Sequence, residues 1–187
     1  MTEISFPFPS HYELEPIVES TGIESERVFS FSPGSRRTQT NGLRLRVVPH
    51  GHEAWIGHFA FGDAPGRSLT MVMSCPNPNE LCVVSSGAGY IVRTDDPNSW
   101  RAVACTPVVK VKPLVVRGLL VFADFTKLAA FGQEGLKWES PRLSSDGIDI
   151  TNTSDTQITV LGWSAAKQAS YTSVIDVETG TIVSGSL

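Results

Sequence analysis

The 187-residue chain reads as an all-β protein of antiparallel hairpins, propeller-like or sandwich-like, with an irregular N-terminal arm. Short apolar runs recur along most of it, alternating with polar residues or continuous, at the length of strands rather than helices. Between them stand clusters of Gly, Pro, Asn and Asp, the residues that close hairpins. Its size fits a single domain, expected over 1–187, with the arm at 1–42 and the antiparallel core at 43–187.

The elements are expected in this order. Residues 1–40 hold four prolines, two glycines and the polar run 35–40, and read as loops with a short helical turn at 20–28. Leu43-Arg44-Leu45-Arg46-Val47-Val48 alternates as a half-buried strand does, Pro49-His50-Gly51-His52 turns the chain, and 54–61 returns. Residues 69–74 and 81–85 flank Pro76-Asn77-Pro78-Asn79, and 89–93 and 100–104 flank Asp95-Asp96-Pro97-Asn98. The apolar stretch 108–125 should supply two or more strands broken near Pro113 and Gly118, because proline lacks a ladder donor and glycine weakens a strand. Strands at 147–151, 157–162, 173–177 and 181–183 complete the set, and 126–131 and 164–169 are short helical candidates.

Composition bounds the function. An apolar fraction of 41% and a charged fraction of 18% belong to a folded chain, and a net charge of -4 offers no general attraction to nucleic acid or anionic membrane. Adjacent Arg36 and Arg37, and Arg44 and Arg46 on one strand face, read as solvated surface. The acidic, proline-bearing start has no secretory pattern and no apolar run approaches a membrane span, so the expected location is cytoplasmic. Three cysteines, Cys75, Cys82 and Cys105, suit buried free thiols; Cys75 and Cys82 flank a turn and should face each other across a hairpin.

Residues 118–140 run from an apolar strand through a second strand and the Gly132–Gly135 turn to a strand carrying Trp138. This resembles one blade of a quinoprotein-type β-propeller repeat. The tail 174–183, with Asp176-x-x-Thr179-Gly180 at its turn, repeats the idea about one blade later. No quinone-binding constellation accompanies the resemblance, so it implies fold and not activity, and no cofactor is expected. Residues 120–150, with Trp138-Glu139-Ser140-Pro141-Arg142-Leu143 and Asp146-Gly147, are similar to a group of bacterial proteins of unknown function, which implies a bacterial origin.

The densest chemistry is His50-Gly51-His52-Glu53 followed by His58. Imidazoles at i and i+2 on a strand project together, so His50, His52 and His58 are the candidate metal ligands, against a polar turn with exposed rings. Ser85-Ser86-Gly87-Ala88-Gly89 lacks the nucleophile-elbow pattern and precedes a strand rather than a helix, so a hairpin turn is expected there. Asp124 ends the most apolar run, and a carboxylate there is either at the strand's wet end or buried and paired, with Arg142 and Lys137 as natural partners or with an acid's role in catalysis. Trp55, Trp100, Trp138 and Trp163 are expected to fill or cover the core. The expected function is a non-enzymatic interaction or scaffold module, with a protein partner or self-association. The alternative is a metal-dependent enzyme or metal-binding protein centred on His50, His52 and His58.

Overall fold

Where polar and apolar residues alternate, the chain forms paired strands, and the computed structural model describes them over residues 2–17, 27–33, 41–63 and 69–185. The described residues form two compact units, Met1–Val103 and Ala104–Leu187, where a single domain was expected. Arg36 and Arg37, and most of the helical turn expected at 20–28, lie outside the described residues.

Unit 1 contains β1 (Glu3–Ser5), β2 (Tyr12–Pro16), β3 (Arg27–Phe31), β4 (Gly42–Pro49), β5 (Trp55–Ala60), β6 (Met71–Ser74), β7 (Glu80–Ser85), β8 (Ala88–Arg93) and β9 (Trp100–Ala102). One sheet has the order β1-β6-β7-β8-β9 and the other β2-β4-β5-β3. Three of these strands come from the stretch expected as an irregular arm. They are short and flank their sheets: β1 pairs parallel with β6, β3 parallel with β5, and β2 antiparallel with β4. The rest of the ladder is antiparallel, as expected.

In β4 the alternation does what it implies. Leu45 and Val47 are buried, while Arg44 and Arg46 point outward and Arg46 pairs with Glu15 at 3.1 Å. The two sheets share a core of Tyr12, Phe31, Leu45, Val47, Trp55 and Phe59 from one and Val72, Leu81, Val83, Tyr90 and Val92 from the other. Burying each such side chain contributes about 1.5–3 kcal/mol. Ser86 and Gly87, at φ 49° and 84°, turn β7 into β8, with Ser85 opposite Ala88. Two positive φ values are what a two-residue hairpin with matching twist requires.

Unit 2 is two four-stranded meanders. The first is β10 (Lys110–Leu114), β11 (Leu119–Ala123), β12 (Leu128–Gly132) and β13 (Gly135–Glu139); the second is β14 (Ile148–Thr153), β15 (Gln157–Ser164), β16 (Ala169–Asp176) and β17 (Ile182–Ser184). Pro113 sits in the edge strand β10, the place a sheet tolerates proline. A single 3-10 turn, Val115–Arg117, ends at Gly118 in the left-handed region, so the expected break is there. Every residue of β11 is buried, which is why its sequence shows a continuous run instead of alternation. The segment around Trp138 pairs with β12, one strand further than β11.

Neither short helical candidate forms. The first lies mostly in β12, and the second is the turn joining β15 to β16, where Ser164 Oγ accepts from the Lys167 N–H at 3.3 Å. Local side-chain bonds of this kind compete with helix. Both sheets of unit 2 meet in an aliphatic core that includes Leu119, Val121, Leu128, Ile158, Val160, Ile175 and Val177, with Trp138.

Candidate functional site

The histidines direct attention to one end of unit 1, where four connections converge. The His11 N–H donates to Pro78 O at 2.9 Å and His11 O accepts from the His50 N–H at 2.8 Å. Asn79 O accepts from the Thr94 N–H at 2.8 Å, and Thr94 O accepts from the buried Trp55 indole N–H at 2.8 Å. Loops from both sheets are thereby tied into one polar surface.

His11 extends the β2–β4 ladder. Tyr12 is opposite Pro49, so His11 falls opposite His50. The two rings lie 6.4 Å apart, inclined by 31°. His11 Nδ1 donates to Asn79 Oδ1 at 2.9 Å, and the Asn79 N–H is itself bonded to Asn77 Oδ1 at 3.1 Å. His52 is exposed in the same turn as His50. Asp95, nearby, is held below the usual carboxylate range, chiefly because Arg93 donates to its oxygens at 2.9 and 2.6 Å; His52 adds a smaller lowering.

The expected trio does not assemble. His58 lies within β5, opposite Arg44 on one side and Ser30 on the other, on the sheet's outer face. Its strand carries it about 10 Å past Trp55 at ~3.3 Å per residue, away from the turn that holds His50 and His52. Among the described residues, no group of three or more His, Cys, Asp or Glu is placed to hold a metal ion. The residue missed in the sequence is His11. It stands in a proline-rich stretch far from His50 in the chain, and only the β2–β4 register brings them together.

Asp124 is buried but not ion-paired to Arg142 or Lys137. Its Oδ1 accepts from Thr126 N–H at 2.6 Å, Thr126 Oγ1 at 2.9 Å and Lys127 N–H at 2.8 Å, closing the β11–β12 turn. Arg142 donates to the Ser144 and Ser145 carbonyls, and Lys137 pairs with Glu178 at 2.6 Å. Nearby backbone donors satisfy the carboxylate without a distant cation. Asp176 repeats the device, accepting from Glu178 N–H at 3.0 Å and from Thr179 N–H and Oγ1 at 2.9 Å.

Glu80 is a buried carboxylate that the sequence did not single out. Both its oxygens accept from Arg101 Nη2, at 2.9 and 2.8 Å. The cysteines are free and buried. Cys75 and Cys82 share the β6–β7 hairpin, but Cys82 is opposite Met73 and the Cys75 N–H meets Glu80 O, so the thiols are offset by a pair and not directly opposed. Burial pushes all three thiols up, Cys105 to about 12. They are protonated at neutral pH and poor nucleophiles.

In unit 2 the surface differs in kind. The tryptophans divide: Trp55 and Trp138 are buried, while Trp163 is 37% exposed and Leu161, two residues earlier on β15, is 40% exposed. Their cross-strand neighbours on β16 are Ser170 and Thr172, with Thr159 and Val174 continuing the same face. A separate cleft of about 190 Å³ is lined by Pro113, the exposed Val115 and Val116, and Thr153 to Asp155. No helix among the described residues is long and apolar enough to cross a membrane.

No protein-family profile matches the sequence, and no curated protein matches it. Among solved structures, the chain is similar to the N-terminal domain of Nup159, at 12% identity and a TM-score of 0.36. The likeness covers 97% of this chain and 53% of that one, so the chain spans about half that domain's length.

Proposed function

We propose that this chain is a non-enzymatic interaction module of the cytoplasm that associates with a second copy of itself through the outer face of the β14–β17 sheet. The observation that carries the reading is the exposed pair Leu161 and Trp163 on the middle strand β15. A tryptophan held outward on a paired strand is a rigid anchor of the kind that dominates interface energies. Thr159, Thr172 and Val174 around it are uncharged. Asp149, opposite Leu161 on the edge strand and paired with Lys110, and Asp176, opposite Gln157, form a charged rim.

Size suits a weak association with a copy of the same face. Strands β15 and β16 have eight residues each, so they run about 27 Å, and four strands side by side cover about 19 Å. Strand β14 has six residues and β17 three, so at ~3.3 Å by ~4.8 Å per residue one face offers about 400 Å² and two bury about 800 Å² in total, the size of a weak, transient association. A two-fold axis lets the same patch serve both partners. The free, buried state of Cys75 and Cys82 on one hairpin suits a reducing compartment.

Light scattering on a sizing column is the test. The expected result is a dimer mass at micromolar concentration that becomes a monomer in the Leu161→Lys, Trp163→Lys double variant. A monomer mass for the unaltered chain up to 100 micromolar contradicts the reading.

A further inference from the structure

We propose that His11 and His50 form a two-histidine site for a divalent transition-metal ion of the zinc, nickel or copper kind, with water in the remaining positions. The inference is independent of self-association, because it concerns the loop end of unit 1 and not the β14–β17 face.

The pair is built by the backbone. His11 is fixed on both sides, through its N–H to Pro78 O and its carbonyl to the His50 N–H. Opposed residues of an antiparallel pair carry Cβ atoms about 4.5–5.5 Å apart, so both imidazoles rise from one side of the ladder. The rings are 6.4 Å apart between centres and inclined by only 31°. A metal–nitrogen bond of ~2.1 Å, added to ~1.1 Å from nitrogen to ring centre, lets two rings share an ion at centre separations up to about 6.4 Å. A tetrahedral angle at the metal brings the separation to about 5.2 Å. His50 is exposed, so its side chain can turn toward His11 while His11 keeps its bond to Asn79.

Asn79 sets the chemistry of His11. Because Nδ1 carries the proton that bonds Asn79 Oδ1 at 2.9 Å, Nε2 is left with the lone pair that a metal takes. Metal-binding histidines are oriented in this way by an acceptor on the other ring nitrogen. Imidazole ligands favour the borderline ions over magnesium or calcium. Neither His52 nor His58 belongs to the pair: His52 lies in the exposed turn beyond the β2–β4 register, and His58 sits opposite Arg44, whose positive charge opposes a cation.

The experiment is calorimetric titration of the full chain, without an affinity tag, with zinc chloride in a non-chelating buffer at pH 7.5. The expected stoichiometry is one ion per chain. His11→Gln or His50→Gln should weaken binding tenfold or more, with His58→Gln within twofold of the unaltered chain. A second readout is line broadening of histidine ring resonances by substoichiometric nickel, expected for His11 and His50 ahead of His58. The proposal is overturned if zinc does not bind at millimolar concentration. It is equally overturned if the double variant His11→Gln, His50→Gln binds as tightly as the unaltered chain while retaining its circular dichroism spectrum.

Discussion

Each unit seats one buried tryptophan against a turn of its facing sheet, and the two seats are built differently. In unit 1, the Trp55 indole N–H donates to Thr94 O at 2.8 Å, and its ring lies among aromatics, edge-on to Phe29 at 5.7 Å and tilted to Phe31 at 6.0 Å. In unit 2, the Trp138 N–H donates to Val177 O at 2.7 Å, and its ring lies flat against a backbone. That backbone is Gly180, at φ 72°, where an added Cβ would fall 2.5 Å from Trp138 Cε3. The aromatic seat also rests on a glycine, Gly57 of β5, where an added Cβ would fall 2.5 Å from Phe59 Cε2 and 3.0 Å from Trp55 Cζ3. That glycine, however, sits in ordinary strand backbone and makes no left-handed turn. The aliphatic seat depends on one glycine, needed both for its left-handed turn and for the close approach of the indole.

The comparison breaks most visibly if the rings are removed. Trp55→Ala and Trp138→Ala should each destabilise the chain by about 3–5 kcal/mol in chemical denaturation, since both are large buried side chains with a bonded N–H. A loss below about 1 kcal/mol in either would mean that the ring does not hold its sheets together.

Charge sharpens the contrast on a smaller scale. Glu80 in unit 1 is 7% exposed at its side chain, and Arg101 is its cation. Arg101→Met strands that carboxylate and should cost about 1–3 kcal/mol, less than for a fully enclosed pair because Arg101 is partly exposed. In unit 2, Glu178 bridges Lys137 and Arg117 at 2.6 Å each in solvent, and Glu178→Gln should leave the denaturation midpoint unchanged within error. Equal losses for the two substitutions would remove the distinction.

How much of this was legible depends on what sets each element. Strand β4 could be read because Leu45 and Val47 alternate with Arg44 and Arg46, a pattern that one buried face imposes. The turn at Ser86-Gly87 was legible from Gly87, whose φ of 84° suits glycine, although Ser86 takes a positive φ that its residue type does not signal. Strands β1 and β3 were not, since parallel pairing with β6 and β5 depends on distant partners and leaves no periodicity in three- and five-residue segments. The same limit hid His11, whose neighbour is chosen by register. Trp163 was expected in or over the core, yet the period of two on β15 turns Ile158 and Val160 inward and leaves Trp163 on the opposite face with Leu161. Alternation was present there, but residue type outweighed it. Asp176-x-x-Thr179-Gly180 was read correctly as a turn; that it receives Trp138 is a tertiary fact its residues do not encode locally.

The central claim is that Trp138 and Gly180 act as one seat, and a double-mutant cycle in the full chain tests it most directly. Gly180→Ala alone should carry both the strain of a left-handed alanine, ~1–2 kcal/mol, and the collision with the indole. With Trp138→Ala already in place, only the strain remains, so the two substitutions together should cost about 1–2 kcal/mol less than the sum of the singles. Additivity within about 0.5 kcal/mol would contradict the account, because it would mean that the ring and the turn stabilise unit 2 independently.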